Sequence, residues 1–333
     1  MASDATLDTL RETGVLRDAD LQGADLAGLD LTGATLERVD LAAARLAGAN
    51  LQQTAFASCS LAWADLSAAA LSGAQFLDCD LSDADLSQAA ADFAVFDGCR
   101  LRQTLFCRAA LGRVRFAQCR MDRTDFAGAD LSRANLIQAD LRTVRLERTN
   151  LAKALLRRAN LASQTFSGCT LAKAHFDGAN LSTANLSRQD LTQASFAGAD
   201  LHKAELTEAA GRYVNFRGAK ARELTMEGAA FVMCDFCEAD LSSARLARCN
   251  LSRSLFMDSL CEETGFTAAN LEFSDFSRAR VPNARFSGAR LYMANLHRVA
   301  MDAAATRDAD ASRIRETDRD LLEAETWVAN IDE

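Results

Sequence analysis

Ten cysteines, three histidines and 46 acidic residues are the side chains of this 333-residue chain that could support chemistry, and spacing decides whether they do. Cys59, Cys79, Cys99 and Cys119 recur at intervals of 20, which invites a zinc cluster or disulfides. A straight ladder of four sulfurs cannot wrap one ion tetrahedrally at about 2.3 Å. Parallel side-chain vectors and the reducing compartment expected below disfavour disulfides. His175, His202 and His297 complete no Ser-His-Asp set, and no glycine-rich phosphate loop or metal motif accompanies them. The aspartates recur too regularly for a catalytic pair. No catalytic residue, metal site, cofactor or small-molecule substrate is expected, and the chain reads as non-enzymatic.

What positions all of these residues is a repeat. From Leu16 to Met301 a residue of core type recurs at every fifth position, 58 times without a slip. It is Leu, Phe or Met in 53 pentads, Val281 in one, and Ala91, Gly211, Ala221 or Cys261 in the other four. Two places before this centre lies a small residue, usually Ala. Immediately before it there is often Asp or Asn, as in Ala24-Asp25-Leu26 and Ala179-Asn180-Leu181. A period of five fits neither a helix at 3.6 nor a flat strand at 2.0.

This pattern, A-(D/N)-L-x-x, resembles that of the pentapeptide repeat family. The resemblance implies an all-β solenoid, a right-handed quadrilateral β-helix with four pentads per coil, here about 14–15 coils with short helical termini. At 20 residues per coil, Phe56, Phe76, Phe96 and Phe116 fall on a first side, with a second run from Phe176 to Phe276. Phe106, Phe126, Phe166, Phe266 and Phe286 fall on the opposite, third side. Thirteen of the 17 glycines stand two places after a centre, ten of them after the first or third side. Type II corners are expected there, since that position needs φ > 0, and other turns elsewhere. Seven cysteines take the small inward slot and read as inert core. Gln164 and Gln189 break the small-slot rule and are expected to bond internal carbonyls. The three histidines are expected to point outward.

The expected boundaries are a cap over 1–15, the β-helix over 16–303 and a linker and helix over 304–333. Ile314, Leu321, Ala324 and Val328 predict that helix between Arg313 and Ala329. No 18-residue apolar run and no signal-peptide core is present, so a soluble, cytoplasmic protein without membrane contact is expected.

On a rod of this kind function lies in the outward positions. The net charge of −9 conceals segregation: residues 1–95 hold 4 Lys/Arg against 15 Asp/Glu, and residues 96–175 hold 15 against 6. Arg113, Arg133, Lys153 and Lys173 form a basic column at one corner, a candidate strip for an acidic partner or phosphate groups, with Asp122, Asp130 and Asp140 as available counter-charges. Further along the same corner Tyr213, Met233, Phe273 and Met293, with Val232 and Tyr292 beside them, predict an exposed apolar patch of interface composition. Either the C-terminal segment covers it through Leu321, Leu322 and Trp327, or a protein partner or second copy does, the latter giving a homodimer through the C-terminal region. The reading is a protein–protein interaction scaffold. The tail Arg319–Trp327 is similar to segments of pentapeptide repeat proteins that accompany bacterial type VI secretion. The alternative comes from members of the family that mimic a DNA duplex and bind DNA gyrase or topoisomerase IV. Acidic columns suited to that role, Asp20, Asp40, Asp80 and Asp25, Asp65, Asp85, occupy only the first four coils, and a duplex mimic should not carry a basic waist. No aromatic residues interleave with the arginines, so direct nucleic-acid binding is not expected.

Overall fold

Every fifth residue turns the chain, and every twentieth residue lies beside its own repeat. The computed structural model describes residues 9–10, 12–301 and 306–326, and it divides into two compact units, Met1–Asn180 and Leu181–Glu333. In the first unit six short strands pair in parallel in sequence order: β1 (Val15–Arg17), β2 (Thr35–Glu37), β3 (Ala55–Ala57), β4 (Gln75–Leu77), β5 (Val95–Asp97) and β6 (Arg115–Ala117). Their register is 20 residues, Leu36 beside Phe56 and Phe76 beside Phe96. The other three sides pair through single bridges of the same offset, such as Asp20 with Asp40, Asp25 with Arg45 and Asp30 with Asn50. In the second unit β7 (Ala210–Arg212) pairs with β8 (Ala230–Val232), and single bridges carry the rest. Each unit is thus a parallel β-solenoid with four five-residue sides per turn.

The motif follows from where the five N–H groups of a pentad go. The centre donates to the coil ahead (Leu21 N to Asp40 O, 2.7 Å), and so does the corner residue two places on (Gly23 N to Ala42 O, 2.8 Å). The residue before the centre donates to the coil behind (Asp40 N to Ala19 O, 2.9 Å), and the slot residue closes the turn (Ala24 N to Leu21 O, 3.0 Å). The fifth N–H, just after the centre, has no backbone partner in this scheme. An Asp or Asn side chain supplies it: Asp20 Oδ1 accepts from Gln22 N at 2.9 Å and Asp65 Oδ1 from Ser67 N at 3.0 Å. The recurring carboxylates are therefore backbone acceptors.

Inward, the phenylalanines stack at the coil spacing, Phe56 on Phe76 at 4.7 Å and Phe76 on Phe96 at 4.8 Å. The two walls meet edge to face, Phe96 against Phe106 at 5.7 Å and 84°. Polar slot residues donate to the central carbonyl one coil behind, as Thr54 does to Leu31 O (2.8 Å) and Thr104 to Leu81 O (2.8 Å). Gln164 bonds Leu141 O and Val144 O, as expected of an internal glutamine. Bulk is exchanged within the core: a Cβ on Gly211 would stand 2.6 Å from Val214 Cγ2 and 3.1 Å from the Leu191 backbone. Ala221 is likewise matched by buried Leu224.

The corners differ from expectation. Positive φ at the corner residue is general: 45 described non-glycine residues adopt it, among them Arg113, Lys153 and Tyr213. The turn-closing bond is present after the second and third sides and after the fourth except at Gly211 and Phe231, and it is missing after the first side from Leu16 to Phe116, the reverse of the glycine-based prediction for that side. The cysteine column occupies four of those six open corners, after Ala19 and Val39. The slot N–H that no turn accepts is aimed at sulfur in the next coil, Val39 at Cys59 and Cys59 at Cys79. Each thiol donates to a carbonyl, Cys79 Sγ to Phe56 O at 3.4 Å and Cys99 Sγ to Phe76 O at 3.3 Å. Elsewhere burial pushes the Cys249 and Cys261 thiols up to about 12, which makes them poor nucleophiles.

At the C-terminal end the ladder outlasts Met301, with Asp310 beside Arg290 and Arg315 beside Asn295. Arg313 is a corner residue of that extra coil, at φ 54°. The helix expected from Arg313 to Ala329 is observed as α1, Arg319–Thr326. At the other end Thr9, Leu10, Glu12 and Thr13 are helical, and Leu10 is buried.

Phe96 is fully buried between stacked neighbours, so Phe96→Ala should cost ~3–5 kcal/mol in urea denaturation. Lys153 stands exposed at a corner with φ 61°, so Lys153→Gly should be neutral or stabilising by up to ~1 kcal/mol. A clear loss of stability in Lys153→Gly would contradict the corner assignment.

Candidate interaction surfaces

Because the corner residue is left-handed at every described corner except Thr143, its side chain projects from an edge, and like corners align into ridges. Arg113, Arg133, Lys153 and Lys173 are exposed along one ridge of the first unit, and three of them are held by the coil ahead, Arg113 N to Ser132 O at 2.9 Å, Arg133 N to Ala152 O at 2.9 Å and Lys153 N to Ala172 O at 3.1 Å. They rise beside Gly112, Ser132, Ala152 and Ala172, too small to screen them. Neighbouring arginines are paired, Arg100 to Asp80, Arg115 to Asp97 and Arg145 to Asp125, but none of the four ridge cations forms an ion pair among the described residues. Of the three acids expected as counter-charges, Asp140 is engaged by Arg142 at 2.7 Å, while Asp130 accepts from Ser132 N and Asn150 Nδ2. At one end of the ridge Phe93 is 56% exposed, with the Arg113 guanidinium 5.1 Å from its ring centroid.

In the second unit Tyr213, Met233, Arg253, Phe273 and Met293 occupy the corresponding corner of five successive coils. Tyr213 is 55% and Phe273 44% exposed, and Val232, Met233, Tyr292 and Met293 are half-buried. The ridge is internally ordered. Tyr292 meets Phe273 edge to face at 5.6 Å, Arg253 lies 5.4 Å over Phe273, and Arg212 lies 5.7 Å over Tyr213. These contacts hold aromatic faces and guanidinium groups in one apolar, cationic strip.

The tail docks elsewhere. Glu325 of α1 accepts from Arg298 Nη1 at 2.9 Å and Arg278 Nη1 at 3.3 Å, and it meets His297 Nε2 at 3.3 Å. His297 Nδ1 accepts from Asp318 N at 3.2 Å, so the proton on this imidazole is on Nε2 and points at Glu325. His297 was expected outward; its position does face out, but the helix packs over it and buries it. Leu322 lines an open cavity of about 580 Å³ at the end of the last coil with Leu291, Leu296, Val299, Met301 and Ile314. Leu321 remains exposed, and Trp327 lies outside the described residues. Neither leucine covers the aromatic ridge, and the described polar contacts of α1 go to Arg278, His297 and Arg298.

The profile described as "Pentapeptide repeat region" matches residues 71–156 and 109–185. That described as "Pentapeptide repeats (8 copies)" matches 15–53, 179–210, 190–228, 223–256 and 266–301. The chain belongs to the pentapeptide repeat family. Solved structures similar to it include HetL, involved in heterocyst differentiation regulation, from the cyanobacterium Nostoc sp. strain PCC 7120 (24% identity, covering 87% of this chain and 97% of HetL, TM-score 0.22). Full-length QnrB1, a plasmid-mediated fluoroquinolone resistance protein, is 20% identical over 72% of this chain and 93% of its own, with a TM-score of 0.22. Rfr23 from the cyanobacterium Cyanothece 51142 is 18% identical over 44% of this chain and 90% of its own, with a TM-score of 0.14. No curated protein sequence gives a significant match.

In this pentapeptide repeat chain two exposed aromatics escaped the sequence reading, Phe93 and Trp63, the latter 67% exposed. Both occupy corner positions with φ near 60°, where a bulky side chain lies outside the core by construction. A large aromatic two places after a centre is the signal that would have found them.

The guanidinium of Arg298 and the imidazole of His297 hold the Glu325 carboxyl below its ordinary value. A depressed carboxylate contributes docking energy that is present above its unfolded value, about 4.5, and is lost as pH falls through the folded value. The protection of α1 amides against hydrogen exchange, taken relative to the intrinsic rate at each pH, should therefore fall on acidification through this range. Glu325→Gln should raise exchange at neutral pH and flatten that dependence; an unchanged profile would refute the clamp.

Proposed function

We propose that this protein is a non-enzymatic protein–protein interaction scaffold of the bacterial cytoplasm. The observation that carries this reading is the ridge Tyr213–Met233–Arg253–Phe273–Met293: five successive coils present aromatic, Met and Arg side chains where the other corners of these coils present charged or small residues such as Glu223, Glu238, Ser243 and Gly228. Placing bulky apolar groups at left-handed, solvent-facing corners does nothing for the core, whereas this composition matches the centres of protein interfaces. The basic ridge of the first unit supplies a second contact of opposite character, an electrostatic strip for an acidic partner surface.

Two finer readings have less support. A role beside type VI secretion rests on the Arg319–Trp327 resemblance, and Glu325 within that stretch is engaged by its own chain. Mimicry of DNA toward gyrase or topoisomerase IV would draw on the acidic coils. There Asp20, Asp40 and Asp80 accept backbone N–H groups, and Asp18, Asp25 and Asp80 pair with Arg38, Arg45 and Arg100.

A pull-down comparing wild type with Tyr213→Ala/Phe273→Ala/Tyr292→Ala tests the ridge. The triple variant should fold normally and lose partner recovery by tenfold or more, as expected for aromatic anchors worth ~1.4 kcal/mol or above together. Equal recovery discards this ridge as a docking surface. Gyrase supercoiling inhibition by micromolar protein would instead favour mimicry.

A further inference from the structure

The second side of the first unit carries a charge pattern that reverses sign halfway along. Its first coils present Asp20, Asp40, Asp80 and Asp83; its later coils present Arg100, Arg102, Arg120, Arg123 and Arg142 against Asp122 and Asp140. Arg102, Arg120 and Arg123 are exposed and form no ion pair among the described residues. Within the acidic half stands Trp63, 67% exposed at φ 57°, with no cation or ring partner among the described residues. An unsupported Trp at a left-handed corner is costly on a free surface and is the kind of residue that anchors a contact.

We propose that this face is a self-complementary interface that pairs two copies of the chain antiparallel. Consider a two-fold axis in the contact plane, perpendicular to the stacking direction and midway between the coils of Leu81 and Leu101. It reverses the order of coils while keeping each residue's place along its side. Asp80, which pairs with Arg100 of its own chain at 3.2 Å, then also faces Arg100 of the second copy, so that two carboxylates and two guanidinium groups alternate at the centre; Trp63 faces Arg123, Ser60 faces Arg120 and Ala42 faces Arg142. Asp40 faces Asp140, but the latter already carries the Arg142 guanidinium at 2.7 Å, which Asp40 then shares. Every favourable contact occurs twice, as isologous symmetry requires.

The second copy is the fitting occupant because charge and spacing match together. Both surfaces have the same rung period, about 4.8 Å, so a pairing that fits at one coil fits at the next; an ordinary acidic surface has no such period. Eight coils of one side give a contact of about 40 by 12 Å, on the order of 1,000 Å² in total, the lower end of specific interfaces. The dimer is accordingly micromolar and salt-sensitive. It uses no residue of either ridge and is independent of the scaffold reading.

Analytical ultracentrifugation of the full chain tests this. Wild type at about 100 μM in ~0.05 M NaCl should be dimeric, with the dissociation constant rising tenfold or more in ~0.5 M NaCl. Trp63→Gly, which suits the left-handed corner, should weaken the dimer at least tenfold. Asp80→Arg/Asp83→Arg and Arg100→Glu/Arg102→Glu should each be monomeric alone, yet an equimolar mixture should form a heterodimer. That mixing result also shows that both variants are folded. A monomeric wild type, self-association of either variant at wild-type strength, or a mixture that stays monomeric would overturn the proposal.

Discussion

Everything in this protein depends on closing a turn within every five residues while leaving no buried N–H unpaired. A left-handed residue two places after nearly every centre makes the turn, Thr143 being the exception, and neighbouring coils take up three of the five N–H groups. The slot residue closes most corners, and a side chain before the centre takes the last donor. Buried amides without partners are costly, so the short polar residue in A-(D/N)-L-x-x is part of the backbone network. This explains why a chain with 46 acidic residues need not be acidic for the sake of a ligand.

The same constraint determines what the surface can vary. Inward positions are held to volume: Gly211 with Val214 and Ala221 with Leu224 show that a deficit at a centre is met from the adjacent slot. The corner and the residue just before it have no such restriction beyond tolerating φ > 0. Side chains placed there align with those of adjacent coils, so a few substitutions produce a column of cations, a strip of aromatics or a face whose sign reverses. A solenoid of this kind acquires contact chemistry by changing ridge residues without disturbing its hydrogen bonds.

Open corners and the chain end are where the regular scheme needs help. On the first side up to Phe116 the turn bond is missing, and at four of these six corners cysteine sulfur of the next coil stands in as acceptor. In the second unit Cys234 Sγ and Ser254 Oγ do so for Val214 N (3.4 Å) and Cys234 N (3.1 Å). At the end, an extra coil with Ala311 where a leucine would be expected leaves an open cavity, and α1 lies beside it, clamped through Glu325. Solenoid edges need cover of this sort, since unpaired strands invite association.

The repeat itself was legible because its period is stated 58 times over. Register, the two phenylalanine walls, the internal glutamine and the composition of both ridges all follow from counting by five and by twenty. Three features were not legible. Corner type is decided by hydrogen-bond competition between coils, so glycine content misplaced the open corners on the first side. The burial of His297 depends on a helix that starts 22 residues further on packing over it, and the last coil continues after its leucines have stopped because backbone pairing does not need them. Sequence alone determined which residues line the solenoid and which lie outside it, since a fixed period sorts side chains without reference to distant contacts. Tertiary structure alone decided which outward charges are neutralised by a neighbour and which stay unpaired, because that depends on rotamers reaching from coil to coil.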